Sequence, residues 1–173
     1  FQENILEDDF DKLADALLAV PSETFMYRDF QSRNVMIKDG EPFFIDYQGG
    51  RKGPVYYDVA SFLWQAKAQY GEDLREELLK TYLHSLKKYI DFEEQDFRMN
   101  LKLFVLFRLL QVLGAYGYRG YFEKKPHFLQ SIPYAMENLR ELMAVSDFSA
   151  FPYLLKVLTD MANLKQYKEV ELD

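Results

Sequence analysis

Apolar residues recur at helical spacing near the start of the chain. Within residues 5–20 most of them stand three or four positions apart, which places them on one face of a helix, and Pro21 closes the pattern. These apolar positions are Leu6, Phe10, Leu13, Leu17 and Leu18. The spacing predicts a first amphipathic helix.

Short apolar and β-branched runs follow this helix. Residues 24–27 and 35–37 have the composition of strands, and a second apolar run covers residues 42–45. Between the last two runs, Asp39 and Gly40 form a dipeptide typical of a tight hairpin turn. Residues 47–57 are rich in glycine, contain Pro54 and have no regular period, which predicts an ordered loop.

The sequence beyond residue 57 has helical character. Asp58 is a candidate N-cap for a helix that Gly71 ends, and Asp91 with Glu94 has the spacing of a capping box. Three glycines break or bend the end of the long helix that follows: Gly114, Gly117 and Gly120. The predicted helices cover residues 58–70, 73–89, 128–144 and 151–167, together with a long helix that the capping box opens at Asp91 and that runs through Val112. We therefore expect one domain over residues 1–173, of the α+β class and mostly α-helical around a small β-hairpin.

Composition and charge exclude several classes of protein. The 173 residues are 49% hydrophobic and 17% aromatic, which is ample material for a packed core. The net charge of -7 argues against a nucleic acid or an anionic membrane as partner, because both would be repelled. An acidic protein suits a neutral or cationic ligand.

Cysteine usage and terminal sequence add a little more. Without any cysteine, a disulfide framework, a thiolate metal site and a cysteine nucleophile are all excluded. No run approaches about 18 consecutive apolar residues, so we expect a soluble protein, with the cytoplasm as its default location. The chain begins with Phe1 and runs straight into helical pattern, as a piece of a longer protein would.

One stretch carries the elements of a phosphoryl-transfer site. Asp29 is followed five positions later by Asn34, and Asp46 stands at the end of the next predicted hairpin. Such a reaction needs a carboxylate to accept the proton of the attacking hydroxyl and oxygen ligands to hold Mg²⁺ on the nucleotide phosphates. Asp29 suits the first task. Asn34 and Asp46 suit the second, since a hairpin after Asn34 would return Asp46 to the loop.

These residues carry a family resemblance. Residues 25–69 contain Arg-Asp-Phe-Gln-Ser-Arg-Asn, Ile-Asp-Tyr-Gln-Gly-Gly and Gly-Pro-Val-Tyr-Tyr-Asp-Val-Ala-Ser, and they resemble the aminoglycoside phosphotransferase and choline kinase family. The Gly-Pro-x-x-Tyr-Asp segment and residues 119–133 are similar to bacterial cell-wall amino-sugar kinases, which phosphorylate N-acetylmuramate or N-acetylglucosamine. The resemblance implies the C-terminal lobe of a protein kinase-like fold, with ATP as co-substrate and Mg²⁺. It also implies Asp29 as catalytic base, Asn34 and Asp46 as Mg²⁺ ligands, and Asp58 as a brace for the catalytic loop.

Two departures from the family pattern affect the expected activity. Tyr27 stands where the family usually has histidine, a position that is mainly a structural brace, and an aromatic residue with a polar tip can fill it. No glycine-rich strand-loop-strand and no strand lysine precede Phe1, so the nucleotide-binding N-terminal lobe is expected to be a missing partner of this chain. Positioning supplies most of the catalysis in phosphoryl transfer, so the chain alone should be nearly inert.

Several neighbouring residues have competing interpretations. Arg28 and Arg33 flank Asp29, and pairing with nearby carboxylates that supports the catalytic loop is the favoured role. Residues 49–53 lack the Gly-Lys-Ser/Thr ending of a phosphate-binding loop and read as a turn. Candidate contacts to substrate or phosphate are Gln48, Arg51 and Lys52.

Structural interpretations are available for the other aromatic and titratable residues. Trp64 is expected in the core, and His84 and His127 have no metal-ligand spacing. An aromatic group near residue 120 either walls a sugar site or packs between helices: Tyr116, Tyr118, Tyr121 and Phe122.

Three functional hypotheses stay open from the sequence. The first is a phosphotransferase lobe that acts on a hydroxyl of a small molecule, with an amino sugar as acceptor. The second keeps the chemistry but changes the acceptor to an aminoglycoside, choline or another amino alcohol. The third is a non-catalytic kinase-like binding module, which Tyr27 and the absent lobe motivate.

Overall fold

The computed structural model describes residues 1–167, which are mostly helical and include two small sheets. The α+β, mostly helical class expected from the sequence is confirmed. The chain divides into two compact units. We call residues 20–108 the hairpin unit, and residues 1–19 with 109–167 the helical unit. The single domain over residues 1–173 stays a prediction.

The hairpin unit contains a two-stranded hairpin whose residues are mostly exposed. Strand β1 (Thr24–Met26) comes first, and a 3-10 turn (Ser32–Asn34) leads into β2 (Val35–Lys38) and β3 (Glu41–Phe44). β2 and β3 pair antiparallel, with Val35 opposite Phe44 and Lys38 opposite Glu41. Asp39 and Gly40 have φ of 54° and 82°, as a tight hairpin turn with two left-handed residues requires. The predicted hairpin is therefore confirmed.

A fourth strand lies inside the segment that the sequence predicted to be an irregular loop. β4 (Arg51–Gly53) pairs antiparallel with β1, and Thr24 stands opposite Gly53. Thr24 Oγ1 donates to the Gly53 carbonyl at 2.6 Å, and a Cβ on Gly53 would lie 2.7 Å from Met26 Sδ. The loop prediction for residues 47–57 is wrong at this point, because three residues with a glycine are too short to show a strand period.

Helices complete the hairpin unit, with boundaries that correct two predictions. They are α2 (Tyr56–Leu63), a 3-10 turn (Ala66–Ala68), α3 (Glu72–Leu86) and the part of α4 (Glu94–Gly117) up to Arg108. α2 begins two residues before Asp58, so the predicted N-cap is wrong, and it ends seven residues before the predicted end. α4 begins at Glu94 itself, and the N–H of Phe97 donates to the carbonyl of Glu93 at 3.0 Å, so Asp91 lies two residues too early to be the N-cap and the predicted capping box is wrong.

The core of the hairpin unit is aromatic and aliphatic. The ring of Tyr56 stacks on Phe104 with centroids 5.1 Å apart and contacts Phe97 at 4.7 Å. Buried side chains around these rings include Val59, Ala60, Leu63, Leu79, Leu83, Leu101 and Val105. Arg98 bridges α3 and α4, since its guanidinium donates to both carboxylate oxygens of Glu76 at 2.8 and 2.9 Å.

The helical unit contains α1 (Glu3–Leu18), the end of α4 from Leu109, a π-helical turn (Tyr118–Phe122), α5 (Pro126–Leu129), α6 (Ile132–Ala144), α7 (Pro152–Ala162) and a 3-10 turn (Lys165–Tyr167). The first helix is confirmed with shifted ends. The predicted helix over residues 128–144 is two helices, because Pro133 has no N–H to continue the ladder from Leu129. The predicted helix over residues 151–167 ends at Ala162.

A buried carboxylate joins two helices of the helical unit. Asp9 on α1 is 1% exposed, and it accepts the backbone N–H groups of Tyr153 at 2.8 Å and Leu154 at 3.0 Å. These are donors of the first turn of α7, which has no side-chain cap of its own. Lys12 Nζ lies 2.8 Å from the same carboxylate. Asp9 therefore caps α7 from a neighbouring helix.

One helical stretch of the described chain, residues 94–122, is long and apolar enough to cross a membrane by length and composition. Core helices of soluble proteins meet the same criterion. Lys102 and Arg108 interrupt the apolar run, and of residues 97–110 only Met99 is exposed. The last part of the stretch, residues 111–122, is exposed or half-buried except at Gly120.

Candidate active site

The segment between β1 and β2 curls around the carboxyl group of Asp29. Asn34 Nδ2 donates to the Asp29 backbone carbonyl at 2.8 Å and to its Oδ2 at 3.3 Å. Arg33 donates to Oδ2 at 3.0 Å, and Gln31 donates to Oδ1. The side chain of Asp29 is still 36% exposed, so a hydroxyl can approach it from solvent. Asp29 and Asn34 therefore lie together, as the sequence predicted.

The hairpin returns Asp46 to this loop. The backbone N–H of Ile45 donates to the Asn34 carbonyl at 3.1 Å, which extends the β2–β3 ladder by one residue pair. Asp46 is the next residue, with φ of 65°, and Gln48 donates to its Oδ1. The predicted backbone return is thus present.

Tyr27, close to the start of the loop, contacts Ile45, the residue that precedes Asp46. Its hydroxyl donates to the carbonyl of Ile45, so both backbone polar groups of Ile45 are held, one by Asn34 and the other by Tyr27. Partial desolvation, followed by the carboxylates of Asp46 and Asp29, raises the pKa of the Tyr27 hydroxyl. The phenol therefore stays protonated and able to donate across the neutral pH range.

Asp58 holds the start of the loop from the first turn of α2. Its two carboxylate oxygens accept the backbone N–H groups of Tyr27 at 2.6 Å and Arg28 at 2.9 Å. Burial raises the pKa of Asp58, and the two N–H donors with the nearby charge of Arg108 offset only part of that effect. Arg28 has φ of 79°, a left-handed conformation that costs a non-glycine residue free energy. Asp58 thus stabilises a strained backbone directly before Asp29.

The sequence analysis missed residues that anchor the loop. Gln65 Oε1 accepts the backbone N–H of Ser32 at 3.0 Å and its hydroxyl at 3.3 Å. The ring of Phe30 stacks on Phe62 at 4.9 Å and lies 5.6 Å from Tyr27. The sequence placed Gln65 inside the predicted helix over residues 58–70, whereas α2 ends at Leu63 and leaves Gln65 in the following turn. Phe30 directly follows Asp29 in an otherwise polar motif. An apolar side chain at that position could have indicated that it packs against a helix and anchors the loop.

Some predicted site residues have other partners. Lys52 lies 2.7 Å from Glu23 with both side chains 76% exposed, and Arg51 stands opposite Met26 in the β1–β4 sheet. Arg33 pairs with Asp29, but Arg28 donates to the Gly49 carbonyl at 3.4 Å rather than to a carboxylate. Contacts of Gln48, Arg51 and Lys52 with a substrate stay predictions.

One further prediction concerns Trp64, which was expected in the core. Trp64 is half-buried, with the guanidinium of Arg75 5.5 Å from its ring centroid.

Within residues 1–167, no group of three or more His, Cys, Asp or Glu side chains could hold a metal ion. Asn34 with Asp46 is a smaller set that combines one amide and one carboxylate.

Three curated proteins are similar to most of the chain, and each is called N-acetylmuramate/N-acetylglucosamine kinase. The one from Neisseria meningitidis serogroup B is 26% identical over 144 residues, which are 82% of this chain and 43% of the relative. Those from Pseudomonas aeruginosa and Pseudomonas putida are 27% and 25% identical over 125 and 134 residues, or 69% and 76% of this chain and 36% and 39% of the relatives. The chain therefore spans less than half the length of these relatives.

A family comparison covers the part of the chain that contains the site. The profile of the phosphotransferase enzyme family matches residues 2–96, a range that includes Asp29, Asn34, Asp46 and Asp58. Because this match covers more than half of the residues, the chain belongs to the phosphotransferase enzyme family.

Proposed function

We propose that this chain is the catalytic lobe of an ATP-dependent kinase that phosphorylates a hydroxyl group of an amino sugar. The observation that carries the proposal is the closed set of contacts around Asp29, Asn34 and Ile45. Asn34 donates to Asp29 and accepts from the residue that precedes Asp46. Three oxygen-bearing side chains of the kind that phosphoryl transfer needs are thereby tied to one backbone frame.

Asp29 is the proposed general base. Its carboxylate is held by donors from Gln31, Arg33 and Asn34, so its orientation is fixed before a substrate arrives. Its exposed part can accept a hydrogen bond from the acceptor hydroxyl and take that proton as the oxygen attacks the γ-phosphorus, while the bond from the γ-phosphorus to the β–γ bridging oxygen breaks and ADP leaves. Positioning and proton acceptance are the main contributions expected of a protein in this chemistry.

Asn34 and Asp46 are the proposed ligands of Mg²⁺. The amide nitrogen of Asn34 is directed at Asp29, which leaves Oδ1 as the atom for a cation, and Asp46 supplies a carboxylate. One amide and one carboxylate oxygen, with waters and phosphate oxygens, match the ligand preference of Mg²⁺. Bound there, Mg²⁺ would neutralise charge on the nucleotide phosphates.

The acceptor is proposed from the relatives. All three curated relatives described above are named for N-acetylmuramate and N-acetylglucosamine, and their similarity covers 69% to 82% of the chain. An uncharged or singly charged sugar is also compatible with an acidic protein, whereas a nucleic acid is not.

A separate nucleotide-binding lobe is the proposed partner of the hairpin unit. Several apolar side chains of the hairpin and its flanks are 45% to 69% exposed: Phe25, Ile37, Phe43, Phe44, Ile45 and Tyr47. A neighbouring groove of about 900 Å³ includes Phe25, Phe43 and Phe44 in its lining. Exposed apolar patches of this kind mark surfaces that another part of a protein covers. We propose that the complete kinase works in the cytoplasm.

The decisive experiment is an acceptor panel with the full-length gene product. ADP release is measured with Mg-ATP and N-acetylmuramate, N-acetylglucosamine, choline or an aminoglycoside. Asp29→Asn should lower kcat by about 10³-fold or more, because proton acceptance and orientation are both lost. Asp39→Asn at the exposed hairpin turn is the matched control and should leave kcat unchanged.

Two outcomes would overturn the proposal. If no acceptor is phosphorylated although the protein binds Mg-ATP, the binding-module hypothesis gains support. If an aminoglycoside or choline reacts and the amino sugars do not, the chemistry stands but the proposed acceptor is wrong. Residues 1–173 alone should be far slower than the full-length protein, because positioning of the nucleotide would be lost.

A further inference from the structure

The π-helical turn at the end of α4 presents an exposed aromatic patch. Tyr118 and Phe122 are 61% and 78% exposed, and Tyr121 between them is 48% exposed. The rings of Tyr118 and Phe122 stack, with centroids 5.5 Å apart and planes 20° apart. One face of Phe122 is therefore covered by Tyr118, and the other faces solvent. Isolated exposed rings are common, but three within five residues form a contiguous patch that suggests a binding surface.

The backbone beneath this patch is tightly held. Glu123 N–H donates to the Tyr118 carbonyl at 3.3 Å, which closes the π-type turn, and Lys125 N–H donates to the Arg119 carbonyl at 3.1 Å. A Cβ on Gly120 would lie 2.3 Å from Leu129, so α5 packs directly on the turn. Single π-turns occur frequently at functional sites. The rings thus stand on a rigid support, which limits the entropy lost on binding.

The segment that carries the rings is cationic in an otherwise acidic protein. Residues 119–127 contain three cationic side chains and one carboxylate, in a chain of net charge -7. Glu123 pairs with Lys125 at 2.6 Å, and the guanidinium of Arg119 lies 5.2 Å from the Phe128 ring centroid. Lys124 stands two positions after the exposed Phe122 and is itself exposed. An aromatic face beside a cation complements an apolar ring that carries an anionic group.

The similarity to the sugar kinases reaches beyond the family match. That match ends at residue 96, whereas the alignment with the Neisseria meningitidis relative covers 82% of this chain, which is enough that it must include residues 118–124. We propose that Tyr118 and Phe122 form a stacking platform for the pyranose ring of an N-acetylated sugar, and that Lys124 binds a carboxylate on that sugar. The ligand class rests on the function proposed above, while the platform rests on the exposed rings.

Binding without turnover tests this inference. The full-length protein, without ATP, is titrated with N-acetylmuramate and separately with N-acetylglucosamine, and Kd is measured by isothermal titration calorimetry. Phe122→Leu keeps the apolar volume but removes the aromatic face, and it should weaken both sugars by about 3- to 10-fold. Phe122→Tyr should bind as the wild type does. Lys124→Gln should weaken N-acetylmuramate about 2- to 5-fold and leave N-acetylglucosamine unchanged, since only the former has a carboxylate.

Matched variants separate the platform from the proposed catalysis. Tyr89→Leu removes a ring of similar exposure, 82%, elsewhere in the chain, and should not change either Kd. Asp39→Asn at the exposed hairpin turn should also bind both sugars normally. Failure of wild type to bind either sugar, or wild-type affinity in Phe122→Leu, overturns the platform even if the full-length protein is an active kinase. Intact binding with no kinase activity instead overturns the proposed function alone.

Discussion

Replacing Asp58 by alanine should release the strained start of the candidate catalytic loop. The carboxylate accepts two backbone N–H groups, those of Tyr27 and Arg28, from a position in the first turn of α2. Alanine keeps the helix, because it is the best helix former, and removes only the acceptor. Arg28, with φ of 79°, would then lose the bond that holds it in a left-handed conformation.

The size of the effect follows from the two contacts. A hydrogen bond to a charged group contributes about 1.5–3 kcal/mol, and a half-buried site lies at the low end of that range. Desolvation of the Asp58 carboxylate outweighs the stabilising effect of these bonds on its charged form, which is why its pKa is raised, and this desolvation is removed together with the carboxylate. The remaining cost is that of two N–H groups left without an acceptor, so the net cost should be about 1–2 kcal/mol. For a chain of this size, that corresponds to a fall in Tm of roughly 2–8 °C. A displacement of Asp29 by about 1 Å would lower kcat about 100-fold.

Urea unfolding followed by intrinsic fluorescence measures the stability change, and ADP release by the full-length protein measures kcat. Asp58→Asn should fall between wild type and Asp58→Ala, because one oxygen can still accept while the amide group opposes the second N–H. Glu72→Ala is the control, since Glu72 is an exposed acid in the first turn of α3 and should change stability by less than about 0.5 kcal/mol. If Asp58→Ala unfolds within about 0.5 kcal/mol of wild type with unchanged kcat, Asp58 does not brace the loop.

Three further substitutions test single contacts. Tyr27→Phe removes the hydroxyl that holds the Ile45 carbonyl, and ADP release should show kcat lowered about 10-fold with KM for the acceptor little changed. Arg28→Gly should be more stable than Arg28→Ala by about 1 kcal/mol in urea unfolding, because only glycine adopts φ of 79° without strain. Asp9→Ala should cost about 3 kcal/mol at pH 7, as two N–H donors of α7 lose their partner. Burial acts to raise the pKa of Asp9, but Lys12 and the N–H donors lower it below the ordinary 3.8, so unfolding curves should show this stabilisation above pH 3.8 and its loss as pH falls further.

The hairpin and the residues beside it could be predicted because their signals are local. The Asp-Gly turn requires two left-handed residues, and the apolar runs on each side have the length of strands. Once β2 and β3 pair, Ile45 must stand opposite Asn34, and the position of Asp46 follows from the register. The spacing in the sequence was therefore enough to predict that Asn34 and the residue before Asp46 are neighbours across the hairpin.

The remaining features depend on contacts between distant residues. Asp58 had the sequence signature of an N-cap, yet its oxygens are used by N–H groups about 30 residues earlier, and nothing in the local pattern distinguishes the two. β4 forms because β1 offers an edge, and Gly53 fits there only because it has no side chain beside Met26. Gln65 likewise acts on Ser32, 33 residues away. In each of these three cases, contacts with residues distant in the sequence determine the structure, and local preference does not.

The same contacts explain how Tyr27 can occupy a position at which the family usually has histidine. In this structure the position supplies one hydrogen bond, to the carbonyl of Ile45, and a phenol hydroxyl donates it as well as an imidazole N–H could. An imidazole changes its charge near pH 6.5, next to the carboxylates on which the proposed reaction depends. The phenol has a raised pKa and stays neutral there, so the backbone before Asp46 keeps its support across the neutral range. The substitution therefore preserves the geometric role and removes a titration from the site, which favours an active enzyme over a binding module.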